Sequence, residues 1–558
     1  MAKRKKPPSP ARFDESQVLK LAVQNHKNGD FQKAKDLYLR LLYHNPRNAD
    51  VIHRLGTMAI QIEQFDKAED FIRQAIDIGP ITPTMLINYG TALRNLKRYE
   101  EAISAFDEAL ERDPNNANAH YNKGRALIAN EQFTEAIEAN AKAIEADPGL
   151  AEAWSNLGSA QKSKGLHLES LYAFDKAAQI NPNMPELYRN MTSNLLEMRL
   201  YEPAIKMCER AVDVDPDKAG ARYFLNSCLL TSGNLEDAWA DFGVRFEHFE
   251  DIRKYRRPVP PPYWNGSEMR GKRFLIWTEQ GIGEAILAIS VLLEFFEEVE
   301  DCTVECWDRL VPIFSQSFPG IKFASVLNHK EIVENAETPF DFQMPALDLL
   351  TRYRPSIETF PKAKPFIKPN PEITGRLRAK YEEMAQGKRI VGMSWKSTSE
   401  KLGRFKSSVL EDWHNMIANP DLFFVNLQYG DYEEEWANYT SKYPCTMFDD
   451  PDIDPIGNLE DAVAQIAAMD LVISVSNSNV HIAGALGIPT WLLLPNSTST
   501  IWYWFLDRTD SPWYPSVRIF RQKSMLDEER AWLPEAIEDM FEALQVWMDK
   551  PLPPRLVP

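Results

Sequence analysis

NYGTALRNLKRYEEAISAFDEALERDPNNANAHYNKGRALIANEQFTEAIEANAKAIEADP, residues 88–148, carries the fold in its spacing. Gly90, Ala102 and Pro114 recur 34 residues later as Gly124, Ala136 and Pro148. Outward from there, Ala34, Ala68 and Ala204 lie on the same 34-residue lattice as Ala102, with Ser170 in its slot and Ala238 continuing it. Pro46, Pro80, Pro182 and Pro216 follow their lattice positions by twelve residues, and Ala22, Gly56, Gly158 and Thr192 precede theirs by twelve. Small residues let two antiparallel helices approach closely, and a Pro, lacking an N–H and clashing with the preceding turn, ends the second helix. One such unit cannot bury its apolar face alone, so the units must stack into an α-solenoid. Six repeats are expected from about Glu15 to Lys218, with a capping helix pair around Gly220–Glu247, so that the solenoid fills 15–250.

This period and pattern are similar to those of tetratricopeptide repeats (TPRs). Asn88, Asn122, Asn156 and Asn190 also step by 34, each on the first helix of its repeat. An amide carries both a donor and an acceptor, so a row of them can pair with the backbone of an extended peptide without reading its side chains. The row resembles the asparagine ladder of the O-linked N-acetylglucosamine transferases, which implies acceptor-peptide binding at these four residues; an ordinary TPR packing slot is the alternative. His120 occupies the slot filled by Trp154 and Tyr188 and is expected to pack within its repeat.

A chain of 558 residues exceeds one core. Its net charge of −18 argues against a general nucleic-acid binder, which needs cation clusters on phosphates. The basic run Lys3–Lys6, in a Pro-rich tail over 1–14, reads as a frayed terminus. No apolar run follows those charges, as a secretory signal would require. No uncharged apolar run reaches the length of about 18 residues needed to span a bilayer, so a cytoplasmic protein is expected. Cys208, Cys228, Cys302, Cys306 and Cys445 are odd in number and contain no C-x-x-C pair, which disfavours a disulfide framework or a zinc site. Cys302 and Cys306 fall in a strand and are expected as buried, inert thiols.

The lattice stops near Phe249. Arg253–Arg257 and the prolines 258 and 260–262 mark a linker over 251–270. Beyond it, short apolar runs at Phe274–Trp277, Ile390–Trp395, Phe423–Leu427, Leu471–Val475 and Thr490–Leu494 alternate with helical stretches. This predicts parallel α/β blocks at 271–370 and 385–522, then a C-terminal helix and tail over 523–558. Such blocks bind ligands at the carboxyl ends of their strands. Three loops qualify. Gly281 and Gly283 allow close backbone approach before a helix start that carries Glu284, whose acidity also suits the helix dipole. Lys396 follows a buried strand and is either placed to neutralise phosphate or an ordinary exposed lysine. Ser476, Asn477, Ser478 and Asn479, ahead of His481, form either an anion site at a helix start or an ordinary N-cap.

The stretch Glu279-Gln-Gly-Ile-Gly-Glu-Ala-Ile286 resembles the opening loop of heptosyltransferase-like glycosyltransferases (family nine, GT-B fold). Leu471–Pro489 resembles their donor-side loop and helix, and the resemblance covers about 271–522. It looks closest to bacterial proteins that join TPRs to such a domain, in which Asn426-Leu-Gln-Tyr-Gly-Asp431 and Ser511-Pro-Trp-Tyr-Pro515 also recur. The resemblance implies two Rossmann-like halves and inverting, metal-independent transfer from a nucleotide sugar to a protein acceptor in the TPR groove, flagellin being a candidate. No resident cofactor is implied, the nucleotide sugar being a co-substrate. It further implies Glu284 as general base and donor contacts at Gly281, Gly283, Lys396, Gln428, Ser476, Asn477, Ser478, Asn479 and His481. Glu284 and Ser476 both stand where the family usually has Asp. A non-catalytic TPR adaptor with a degenerate domain, and an enzyme acting on a glycan or lipid carrier, are the alternatives.

Overall fold

The computed structural model describes residues 14–198, 200–216, 218–248, 261–328, 339–360, 364–398, 403–443, 447–495, 501–522 and 535–552. The basic tail over 1–13, the stretch 251–260 with its arginines and first prolines, Cys445, and parts of the C-terminal segment (523–534 and 553–558) lie outside them. The chain forms two compact units, Met1–Asn194 and Leu195–Pro558.

The first unit is made of antiparallel helix pairs: α1 (Glu15–Lys27) and α2 (Phe31–His44), α3 (Ala49–Gln61) and α4 (Phe65–Ile78), α5 (Pro83–Asn95) and α6 (Tyr99–Arg112), α7 (Ala117–Ala129) and α8 (Phe133–Ala146), α9 (Ala151–Ser163) and α10 (His167–Ile180). Asp14, Asn48, Thr82 and Asn116 cap first helices, each side chain accepting from the N–H three residues on. The glycine lattice has a steric cause: a Cβ on Gly90 would sit 2.7 Å from the Phe106 ring, and one on Gly158 equally close to Phe174. His120, Trp154 and Tyr188 each reach back to the carbonyl of Pro114, Pro148 or Pro182, at 2.9, 3.1 and 2.9 Å. The three side chains therefore do one job, fastening a first helix to the turn before it. First helices pack directly on one another, α3 on α5, α5 on α7 and α7 on α9.

The first helix of the sixth repeat is α11 (Pro185–Glu197). In the second unit, α12 (Tyr201–Val214), α13 (Ala219–Ser232), α14 (Leu235–Ala240) and α15 (Arg245–His248) join the α/β core, although the repeat lattice assigns them to the solenoid. The reason is apolar burial: Leu229, Leu230, Leu235 and Phe242 share one core with Phe295, Trp504 and Phe505. Trp239 donates its indole N–H to the Arg354 carbonyl (2.8 Å), and Leu506 N–H donates to the Thr231 carbonyl (2.9 Å). Arg245 is 3% exposed; it donates to Glu279 (2.7 Å) and Asp348 (2.5 Å) and lies over the rings of Phe242 and Phe246.

Two all-parallel sheets follow. The first has the order β3-β2-β1-β4, from β1 (Arg273–Trp277), β2 (Asp301–Cys306), β3 (Lys322–Ser325) and β4 (Phe342–Pro345). The second has the order β10-β9-β8-β5-β6-β7, from β5 (Arg389–Ser394), β6 (Leu422–Asn426), β7 (Met447–Phe448), β8 (Leu471–Val475), β9 (Thr490–Leu494) and β10 (Val517–Arg521). Cys302 and Cys306 lie on β2, where burial pushes their thiols up to about 12. The end of the expected linker is no spacer: Pro262 and Trp264 exchange backbone hydrogen bonds with Gln343 of β4, at 2.8 and 3.0 Å. The C-terminal helix Glu535–Met548 is tied to β5 by Arg389, which donates to the Trp547 carbonyl (2.8 Å).

Replacing Arg245 with Met leaves Glu279 buried without a counter-charge. Removing one partner of a buried pair costs about 3–5 kcal/mol. Urea unfolding of Arg245→Met should show a loss of that size, and the double variant Arg245→Met/Glu279→Gln should recover part of it.

Candidate functional site

A cavity of about 840 Å³ opens at the carboxyl ends of the strands of both sheets. In the second sheet the strand order reverses at the β5/β8 pair, the place where open parallel sheets bind ligands. Gly281 and Ile282 from the loop after β1, Trp307 and Arg309 after β2, Lys396 after β5, and Gln428 and Tyr429 after β6 line it. Ser478 and Asn479 complete the wall. Of the expected donor contacts, Gly281, Lys396, Gln428, Ser478 and Asn479 are therefore brought together, while Gly283, Glu284, Ser476, Asn477 and His481 are not among the lining residues.

A side-chain lattice holds the two switch-point loops. The Gln428 carbonyl accepts from the N–H groups of Trp395 (2.9 Å) and Lys396 (2.8 Å), and its amide donates to the Tyr429 carbonyl (2.8 Å). Asn477 caps the helix Ser478–Leu486 through Asn479 N–H (3.0 Å) and donates to the Ser394 hydroxyl (2.8 Å). Asn479 donates to the Leu427 carbonyl (2.8 Å), and the Ser476 hydroxyl accepts from the Trp504 indole (3.0 Å). Gln428 and Asn477 thus shape the cavity with amides already spent on the protein. Lys396 points its ammonium at Glu435, 2.8 Å away.

Behind this wall stands a second cluster. The helix Ile282–Ala288 packs on Ser478–Leu486 so tightly that a Cβ on Gly283 would come within 2.7 Å of the His481 ring. Gly283 is there for helix contact; the positive φ of the loop, +63°, falls on Gln280. His481 is buried among Tyr503, Trp504 and Tyr514, with Nδ1 3.0 Å from the Tyr514 hydroxyl. Burial lowers its pKa to about 3, with Lys406 adding to the effect. Glu284 accepts from the Tyr503 hydroxyl at 3.3 Å, and its other oxygen lies 3.0 Å from where a Gly281 Cβ would be, folding the carboxylate against a wall residue. Glu279, the nearest other carboxylate in the loop, is fully engaged by Arg245.

Lys406 escaped the sequence reading. It is 4% exposed and makes no hydrogen bond or ion pair among the described residues; burial lowers its amine to about 8, while Glu284 opposes that shift. In the sequence it is one cation of a run that also holds Lys401 and Arg404, and nothing in that run marks it as the one to be buried.

The asparagine row is unequal. Asn88 donates to Thr57 (3.1 Å) and contacts His53 (2.9 Å) in the preceding repeat, Asn190 donates to Ser159 (3.3 Å), and Asn122 donates to the Asn118 carbonyl of its own helix (2.8 Å). The Asn156 amide nitrogen is buried with no partner among the described residues. In all four, no hydrogen bond to the amide oxygen occurs among the described residues.

Comparison with known protein families supports the tetratricopeptide repeats of the first unit. The tetratricopeptide-repeat family matches residues 49–81 and 89–151. Protein FlbA of Caulobacter vibrioides is 31% identical over 318 residues, which is 54% of this chain and 52% of FlbA, so the chain spans about half the length of this relative. Among solved structures, MamA is 25% identical over 29% of this chain and 95% of its own (TM-score 0.27), and the TPR protein YrrB is 21% identical over 33% and 96% (TM-score 0.28).

Two outcomes follow from this geometry. His481 is neutral when folded and protonates when unfolded, so the unfolded state binds the extra proton between pH about 6.5 and about 3. Stability should therefore fall as the pH drops through that window, and thermal melts at pH 7 and 5 should show a smaller drop for His481→Gln. In the solenoid, Asn88→Ala breaks contacts between repeats and should cost on the order of 1 kcal/mol. Asn122→Ala breaks a bond within one helix and should lower the melting temperature less.

Proposed function

We propose that this chain is a GT-B-like glycosyltransferase that moves a sugar from a nucleotide-sugar donor to a protein held along the first helices of its TPRs, with flagellin as the candidate acceptor. The observation that carries the reading is a cavity at the carboxyl ends of two parallel sheets, with the carboxylate of Glu284 folded against its wall. In the reaction, Glu284 takes the proton from an acceptor hydroxyl as that oxygen attacks the anomeric carbon, and the bond from that carbon to the donor phosphate breaks. Lys406 and Lys396 stabilise the charge that develops on the departing phosphate. His481, buried and uncharged, sets the spacing of the two helices and holds Tyr514. Nucleotide sugars suit a cytoplasmic enzyme, and no helix among the described residues is long and apolar enough to cross a membrane.

The adaptor reading draws on one observation: the hydroxyl of Ser476, where the family usually has Asp, is occupied by Trp504. A panel of UDP-, GDP-, ADP- and CMP-sugars titrated calorimetrically into the full chain separates the two. An enzyme binds one of them, and Lys406→Met weakens that binding by about tenfold or more, the cost of a lost charged hydrogen bond. Binding of none, or unchanged affinity in a folded Lys406→Met protein, favours the adaptor.

A further inference from the structure

Most arginines of the first unit follow a simple pattern. Arg54, Arg73, Arg98 and Arg112 each pair with a carboxylate three or four residues away, at 2.9, 2.9, 2.6 and 2.9 Å. Arg94 on α5 and Arg125 on α7 break it. Neither has an acidic residue at helical spacing: Gly90, Thr91, Lys97 and Arg98 flank Arg94, and Tyr121, Asn122, Ile128 and Ala129 flank Arg125. Neither side chain makes a hydrogen bond or ion pair among the described residues, and the Nε of Arg94 is buried without a partner. Arg125 lies 5.6 Å over the Tyr121 ring. Residues 31 apart on successive first helices lie side by side, as the hydrogen bonds of Asn88 with Thr57 and of Asn190 with Ser159 show, and Arg94 and Arg125 have the same spacing. Burial and then the charge of Arg125 lower the Arg94 pKa to about 10.

Two half-buried cations on adjacent helices are costly unless something anionic offsets them. The last-turn position of Arg94 gives it some help from the dipole of α5, but Arg125 sits in mid-helix on α7. Both belong to first helices, which stack α3 on α5 on α7 on α9, and share those helices with Asn88 and Asn122. In a chain of net charge −18, a pair of uncompensated cations among these helices is a local exception.

We propose that Arg94 and Arg125 form a paired guanidinium site for the carboxylate of one Asp or Glu side chain in a polypeptide lying along the first helices; this rests on the peptide-holding reading above. Repeats continue on both sides of the pair, with Asn156 and Asn190 further along. The carboxylate is therefore one from the middle of a segment, not a chain end. Guanidinium forks bind carboxylates bidentately, so the site fixes register where amides that read only backbone cannot. The net charge of −18 on the chain works against acidic segments that miss the pair, which sharpens selection.

The test uses the full chain and three fluorescein-labelled twelve-residue peptides of Ser, Gly and Ala. One has a central Asp and blocked ends, one a central Asn and blocked ends, and one a central Asn with a free C-terminal carboxylate. Anisotropy titrations at low salt should show the Asp peptide binding about tenfold tighter than the blocked Asn peptide, as one charge-assisted contact provides. Arg94→Gln and Arg125→Gln, checked for unchanged melting temperature, should each reduce that preference to about twofold or less. Equal binding of the two blocked peptides would overturn the arginine site and leave the peptide-holding reading intact. Equal binding of the Asp and free-carboxylate peptides would overturn the mid-segment assignment. Absence of binding by any peptide would overturn both the site and the reading on which it rests.

Discussion

The buried ion pair of Arg245 with Glu279 and Asp348 is the constraint around which the second unit is built. Taking the charges of Arg245 and Glu279 out of water is expensive, and only close geometry and saturated hydrogen bonding repay it, with the half-exposed Asp348 adding a second carboxylate. Arg245 belongs to a short helix in the tail of the repeat lattice, and Glu279 opens the loop that leads to Gly281 and Glu284. The arrangement fixes α15 against the first residues of that loop. Trp307, donating to the Gln280 carbonyl at 3.0 Å, fixes the next one. A loop held at consecutive positions can keep Gln280 at a positive φ, which a non-glycine residue tolerates only when its surroundings impose it.

From that anchor the rest of the site follows by packing. The helix after the loop carries Gly283, and the absence of a side chain there lets His481 of the facing helix come close. The polar groups at the switch point are mostly turned inward: Gln428 and Asn477 stitch the loops after β5 and β8, and Asn479 reaches the end of β6. Three charged groups remain for chemistry: Lys406 makes no ion pair among the described residues, Lys396 is paired with Glu435, and Glu284 accepts from the Tyr503 hydroxyl. They are the pieces a phosphate leaving group and an attacking hydroxyl require, and on them rests the proposal of sugar transfer.

The solenoid was legible from sequence because its signal repeats: every lattice glycine has a contact that a Cβ would spoil, every lattice alanine is buried, and the lattice counts them several times over. The parallel sheets were legible from short apolar runs between helical stretches. The edge of the solenoid was not, since the lattice continues through Ala238 while the apolar faces of α13 and α14 turn to the α/β core; periodicity reports local structure and is silent about which core a helix joins. Candidate donor contacts such as Gln428 and Asn477 were found as positions, but whether an amide faces a ligand or a backbone carbonyl depends on contacts dozens of residues away. Lys406 was missed for the same reason. A lysine beside other basic residues looks solvated until the fold buries it.

The central claim, that this chain attaches a sugar to a protein, is tested most directly by the intact mass of flagellin co-expressed with it in a host that supplies the nucleotide sugar. One or more increments of a single sugar mass are expected with the natural chain, and their loss with Glu284→Gln, since removing a general base slows transfer by about 100- to 10,000-fold. Flagellin of unmodified mass beside the natural chain, or the same increments beside folded Glu284→Gln, would contradict it.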